Sequence, residues 1–410
     1  MPDLIFISIE PWDQVWRRNQ FVTNLLARRH PQQRILWVNP ANDVSNSVRK
    51  GRWLEAARRL HTAPPQALAD LPNVFLFTPV KLLPNTLPVG NAINDALARR
   101  QIRHAVRQLG FDKPVLWINP HYAAHMAGQM DECAVIYDIT DDWSAMPMSA
   151  KLRARILRQD DELAARCDAV IVCSPHLAEQ KKQYGARVHL IPNGVDTERY
   201  RPVCQRTWEP HPLTATWPRP ILAHTGTIHS DRTDVPLVLD IARLIPRGTI
   251  ALIGPDHLND ADRDRLRAMP NIRLTGPVAN AVLPRIMSGF DVCIVPHRVD
   301  AFSESQDPLK LYEYLACGLP IVSTPIAGFR NYPELIHLAT GGPDFAAAIA
   351  TALNEGTTRS SDRQAAVASR TWEACVDRIE NVIAAAAKKT ELPPVPFDRS
   401  GRDAVSSKVA

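Results

Sequence analysis

Short, uniformly apolar runs recur along the first half of the chain, at 4–9, 34–38, 74–77, 115–118, 134–137, 169–173 and 188–191. Between them lie polar loops and stretches with apolar positions at helical spacing, as over 92–109 and 150–166. The short runs do not alternate between apolar and polar, so both faces of each predicted strand are covered. Strand and helix in alternation predict βαβ units and a parallel sheet. The rhythm breaks at 196–218, where Pro202, Pro210, Pro212 and Pro218 fall outside any apolar run, and this stretch reads as an interdomain connection. It then restarts, with strands predicted at 220–224, 249–253, 272–275, 292–295 and 320–323. The helices of this second half are predicted at 235–244, 260–269, 282–289, 308–316 and 345–353. An amphipathic helix at 372–387 precedes a tail from Leu392 whose Pro, Ser and charge content reads as disordered.

The expected fold class is therefore α/β, with doubly wound domains over 1–195 and 219–372. The connection 196–218, a C-terminal helix at 373–391 and the tail at 392–410 complete the organisation. Open α/β sheets bind ligands outside the carboxyl ends of their strands, so the chemistry is expected in the loops that follow them.

Composition narrows the function classes. The seven cysteines include no CxxC pair and no metal-ligand spacing, which fits buried, reduced thiols. No stretch reaches the ~18 uncharged apolar residues of a spanning helix. The N-terminus runs from Met1 straight into a strand without a basic leader, so a soluble, cytoplasmic protein is expected. Charge is uneven: residues 1–130 hold 16 Lys+Arg against 8 Asp+Glu, a net of +8, and the remainder holds 32 against 35, a net of −3. Membrane phospholipid, a lipid-linked phosphate or nucleic acid would each satisfy that asymmetry, as would a solvated surface without a partner. No recognition motif accompanies the basic residues, which sets nucleic acid aside.

The most informative stretch is Asp307-Pro308-Leu309-Lys310-Leu311-Tyr312-Glu313, continuing through Gly318-Leu319-Pro320 to Thr324. Asp307 is placed to cap a helix that starts at Pro308 and ends at Gly318. A helix start at the cleft favours phosphate, and Lys310 in its first turn adds a full charge. Glu313, on the same face, could accept bonds from two ribose hydroxyls; equally, Lys310 and Glu313 could form no more than a surface pair.

This run resembles the donor-binding signature of GT-B glycosyltransferases of the retaining, glycogen-synthase-like superfamily. That resemblance implies two Rossmann-like domains facing a cleft, a nucleotide diphosphate sugar as donor, and ribose binding by Glu313. It departs where the superfamily carries a second Glu, eight positions earlier: here stands Ser305, leaving Glu304 or Asp307 as the substitute. Pro192-Asn193-Gly194-Val195-Asp196 matches the element that closes the N-terminal domain, with Asn-Gly expected as a tight turn. His224-Thr225-Gly226-Thr227 matches the first strand and Gly loop of the nucleotide domain, with Gly226 and Thr227 at the diphosphate and Arg232 as its cation.

In the first domain, Tyr137-Asp138-Ile139-Thr140-Asp141-Asp142-Trp143 resembles a stretch of bacterial polysaccharide transferases related to teichuronic acid synthesis. Asp141 and Asp142 are the acceptor-side catalytic candidates, with helix capping as the plainer role. His121 is the third catalytic candidate, also readable as a structural histidine, and His125 is a weaker one. Trp12, Asp13 and Arg17, after the first strand, are the candidate acceptor contacts, the tryptophans being equally suited to core packing. No metal site and no cofactor are expected.

The reading is a hexosyl-type transferase acting on a saccharide or lipid-linked acceptor in bacterial polysaccharide synthesis. The basic, amphipathic surfaces at 49–60 and 93–109 imply peripheral contact with an anionic inner membrane face. A nucleotide-sugar 2-epimerase and a catalytically silent GT-B scaffold subunit are the alternatives.

Overall fold

The computed structural model describes residues 1–54, 58, 62–84 and 88–389. The tail from Leu392, together with Arg59 and Leu60 of the basic stretch, lies outside them.

Seven parallel strands build the first sheet: β1 (Leu4–Ile7), β2 (Ile35–Val38), β3 (Val74–Phe77), β4 (Val115–Ile118), β5 (Ala134–Ile139), β6 (Ala169–Val172) and β7 (Val188–Leu190). Their order is β7-β6-β5-β4-β1-β2-β3, with the antiparallel pair Gln66–Ala67 on the outer edge of β3. The second sheet is wholly parallel. It contains β8 (Ile221–Thr225), β9 (Thr249–Ile253), β10 (Ile272–Leu274), β11 (Val292–Val295), β12 (Ile321–Ser323) and β13 (His337–Leu338), in the order β10-β9-β8-β11-β12-β13. The central strands are buried along their whole length, as their unbroken apolar runs require. Strand order reverses between β1 and β4 in one sheet and between β8 and β11 in the other. The loops after these four strands are therefore the natural ligand loops.

One face of the first sheet is an aromatic ladder. Phe6 on β1 stays in register with Trp37 on β2 and Trp117 on β4, stacking at 4.8 and 5.3 Å between ring centres. The C-terminal helix Trp372–Lys389 returns from the second half and buries Trp372, Val376, Ile379 and Ile383 against this face. Its carboxylates also answer part of the N-terminal charge: Asp377 and Glu380 bind Arg29, and Glu380 binds His30. Arg34 pairs with Asp3 and Arg18 with Asp138. The excess of +8 is thus partly an internal matter between distant segments.

Residues 196–218 differ from the expected bare connection. They hold the helices Thr197–Cys204 and Pro212–Ala215, with Tyr200 and Val203 buried in the core of the second half. Pro212 starts a helix there instead of breaking one, since a first-turn residue needs no N–H. Gly194 also has a different reason from the expected turn. A Cβ on it would lie 2.7 Å from the backbone of Thr371 and Trp372, where the chain crosses back, so close approach of two backbones excludes a side chain. Val195 N–H donates to the Arg370 carbonyl at 2.7 Å, joining the two crossings.

Candidate active site

The loop after β8 forms a backbone cradle. Gly226 has φ 118° and Gly254, after β9, has φ 146°, both in the region that favours glycine. A Cβ on Gly254 would fall 2.0 Å from the Gly226 carbonyl oxygen, and one on Gly226 would meet Lys310 Nζ at 3.2 Å. Thr227 follows Gly226 in the same loop. Lys310 Nζ lies 3.1 Å from His224 Nε2 and 3.4 Å from His297 Nε2. His224 Nδ1 sits 3.1 Å from the Ile294 carbonyl, which can only accept, so Nδ1 carries the proton and Nε2 is left to accept from the ammonium. Burial and the Lys310 charge hold both imidazoles well below their ordinary range, hence neutral. Burial, with Arg232 adding repulsion, brings Lys310 down to about 7. An ammonium this poorly neutralised is ready for an anion.

Arg232 supplies the second cation. Its guanidinium lies 4.6 Å from the Phe302 ring centre and 5.8 Å from that of Trp143, and its buried Nε has no hydrogen-bond partner. Glu313 is one turn from Lys310 and accepts from Tyr200 OH at 2.9 Å on Oε1. Burial raises its carboxyl above the usual range, with Tyr200, Arg199 and Lys310 pulling the other way.

Two expected donor residues point elsewhere. The helix runs Leu309–Ala316 with Pro308 in the capping position, and Asp307 does not cap it. Its carboxylate instead accepts from Asn193 N–H at 2.6 Å and from Tyr312 OH, tying the helix start to the interdomain turn. Glu304 is held by Arg330 through both oxygens. Both carboxylates thus already hold protein partners. Ser305, at that position, is buried and accepts from Asp142 N–H at 3.1 Å across the cleft, while Ser174 Oγ donates to its carbonyl at 2.6 Å.

On the other side, Asp141 accepts from Gln306 Nε2 at 2.8 Å, and burial raises its carboxyl. Asp142 caps the turn at Trp143 through Ser144 N–H and also accepts from Gln180. The plainer capping role thus holds for Asp142. Asp138 faces away, toward Arg18 at 3.5 Å, so the three acids do not converge. His121 opens the 3-10 helix His121–Met126 after β4, and burial depresses its pKa. With Asp141, Asp142 and Trp143 it lines a cavity of about 430 Å³. His125 is turned to Asp95 and Arg99.

Of the expected acceptor contacts, Trp12 packs on neighbouring rings, and Asp13 and Arg17 make polar contacts within their own loop. Trp12 meets Trp37 edge-on at 4.9 Å, and its backbone N–H donates to Asn39 Oδ1 at 2.8 Å. Asp13 caps its own loop at Val15 and lies 3.6 Å from Arg17. The loop's functional candidate is Glu10, which sequence reasoning passed over. Asn19 Nδ2 donates to its Oε2 at 2.9 Å and also to Asn119 after β4. Burial raises Glu10 to about 7, Arg17 opposing and Asp141 adding to the rise. An acid directly after the first strand was the available signal. His297, after β11, was the other residue missed.

Residues 219–355 match the family model described as Glycosyl transferases group 1, and residues 83–199 that of Glycosyltransferase Family 4. A curated relative, the putative teichuronic acid biosynthesis glycosyltransferase TuaH of Bacillus subtilis (strain 168), is 28% identical over an alignment of 202 residues that covers 46% of this chain. That match spans 50% of the relative's length. Sucrose-phosphate synthase from Thermosynechococcus elongatus superposes with TM-score 0.66 at 16% identity, covering 94% of this chain and 99% of that one. Anabaena Alr3699/HepE, solved in complex with UDP-glucose, gives 0.63 at 15%, covering 93% and 99%. A UDP-forming trehalose-phosphate synthase from Burkholderia vietnamiensis gives 0.65 at 13%, covering 96% and 99%. The architecture is the GT-B fold, present here with both of its domains.

Proposed function

We propose that this protein is a glycosyltransferase that carries a sugar from a nucleotide diphosphate donor to a saccharide or lipid-linked acceptor in bacterial polysaccharide synthesis. The observation that carries this reading is the cradle of Gly226, Lys310 and Arg232, set across a narrow seam from His121 and Asp141. The donor diphosphate would lie against the glycine backbone, with Lys310 and Arg232 neutralising it. Its charge would restore the Lys310 proton, and the neutral imidazoles of His224 and His297 would position that ammonium. As the acceptor hydroxyl oxygen bonds to the sugar's anomeric carbon, the bond to the diphosphate breaks, its electron pair leaves with the nucleotide, and the hydroxyl proton would pass to the Glu10 carboxylate. Cations fixed beforehand around that charge are where most of the rate gain would arise.

The finer reading is a hexosyl donor carrying UDP, as in the UDP-glucose complex of Alr3699/HepE. Lys310 and Arg232 would replace a metal ion. Peripheral membrane contact would run through Trp53 and Leu54, 67% and 82% exposed, beside Arg49 and Lys50. No described helix is long and apolar enough to cross a membrane. The sealing of Glu304 by Arg330 and the Ser at 305 favour one alternative, a silent scaffold. Incubation with radiolabelled UDP-sugars separates the readings: transfer with release of UDP supports the proposal, epimerised sugar supports a 2-epimerase, and nucleotide binding without turnover supports the scaffold.

A further inference from the structure

The cavity behind Asp141 and Trp143 differs in chemistry from the cradle it adjoins. Its volume of about 430 Å³ falls within the span of small-molecule sites. Four carboxylates line it, from Asp141, Asp142, Asp160 and Asp161, against one ammonium, Lys181. That ammonium is buried and locked to Asp160, which also accepts from Tyr137 OH at 2.7 Å. Arg155 is near enough to act on His121, and Arg232 acts on Asp141 from the donor side; neither lines the cavity. The rest of the lining includes the apolar Trp143, Ile156 and Leu157 and the amides of Gln180 and Gln183.

We propose that this cavity is an acceptor subsite that takes a neutral, hydroxyl-bearing sugar and turns away sugars carrying a carboxylate or phosphate. An aromatic ring and aliphatic side chains suit the C–H faces of a pyranose, and carboxylates and amide oxygens accept its hydroxyl protons. A net excess of fixed carboxylates repels an anion. The position supports an acceptor over an unrelated ligand. Trp143 lines the cavity and also packs its ring near the Arg232 guanidinium, so cavity and cradle share one wall. Asp141 and Asp142, in that wall, are the residues hydrogen-bonded across the seam to Gln306 and Ser305. The inference rests on the transferase reading for the word acceptor, while the cavity's selectivity stands by itself.

Saturation-transfer NMR with the full chain, with UDP present, tests it. The probes are methyl glycosides of glucose, galactose, mannose and N-acetylglucosamine, set against methyl glucuronide and glucose 6-phosphate. At least one neutral glycoside is expected to bind, with the anionic probes weaker by about tenfold at low salt and the gap shrinking as salt is added. Leu157→Trp, which adds bulk to a lining residue, should abolish the neutral signal and leave UDP affinity unchanged. Asp161→Asn should narrow the gap by about threefold. Anionic probes binding as tightly as neutral ones, no neutral probe binding at tens of millimolar, or binding undisturbed by Leu157→Trp would each overturn the proposal. A wild-type protein that binds a neutral glycoside but no UDP would overturn the transferase reading and leave the cavity's selectivity intact.

Discussion

The two sides of the cleft invert the charge of the segments that supply them. Residues 1–195 hold 24 Lys+Arg against 18 Asp+Glu, a net of +6, and the rest of the chain holds 24 against 25, a net of −1. Yet the cradle in the second half gathers Lys310 and Arg232 around two neutral histidines, and the cavity in the first half is lined by four carboxylates and one paired lysine. Net charge describes the outside of a segment and its partners, including the carboxylates of the C-terminal helix against Arg29. The field of a site comes from a few inward side chains that such a sum hides.

The largest expected effect removes one side of this contrast. Lys310→Met should lower transfer by about 10²–10³-fold, the usual loss when one preorganised donor to a developing charge is deleted. Steady-state kinetics with radiolabelled donor measures it, and wild-type rates would mean the diphosphate lies elsewhere. Glu313→Ala should weaken UDP binding by about 1.5–3 kcal/mol, the range for hydrogen bonds to a charged group. Calorimetry reads this directly, and unchanged affinity would remove Glu313 from the nucleotide site.

Titration sharpens the contrast, because the two sides respond to pH in opposite senses. Lys310 titrates near 7 without ligand, and a bound diphosphate raises that value. Binding therefore takes up a proton above pH 7, and UDP affinity should fall by up to about tenfold per pH unit from 7 toward the bound value. His224 and His297 stay neutral throughout and add no slope there. Glu10, also near 7, gains its charge as pH rises, so acceptor-dependent turnover should decline on the acid side. Glu10→Gln should remove that acid limb while UDP affinity keeps its own pH dependence. An acid limb that persists in this variant would assign it to another group.

The smallest expected effect is none. Transfer should survive EDTA, since Lys310 and Arg232 stand where a cation would serve. Loss with chelator and recovery with Mn²⁺ would place the diphosphate beside Asp141 and Asp142, and the contrast between the two sides would collapse.

Legibility in the sequence followed locality. The helix carrying Lys310 and Glu313, and the strand after it, were readable because periodicity and turn residues all lie within twenty positions. The cavity walls at His121 and Asp141 were readable as loop residues after strands. Asp307 was misread because the choice between capping its own helix and binding Asn193, 114 positions away, depends on tertiary contacts. The Arg330 partner of Glu304 was invisible for the same reason, arriving from a later loop. His297 carries no motif at all; only the strand order, which puts β11 beside β8, brings it to the amine. Gly194 looked like a turn because its true neighbour, the Thr371–Trp372 backbone, is invisible at that distance along the chain.

That neighbour has a mechanical consequence. The chain passes between the halves twice, and the passages at Val195 and Arg370 are one hydrogen bond apart. Two bodies pinned along one short line keep a rotation about it and lose the freedom to slide or separate. On the transferase reading, entry and exit of the nucleotide would be a swing about that pin. The bonds at Ser305–Asp142 and Gln306–Asp141 would part and reform on each swing, while those joining Asn193 to Asp307 move least, being adjacent to the pin. A protease cutting either passage alone would leave the other to hold the halves together.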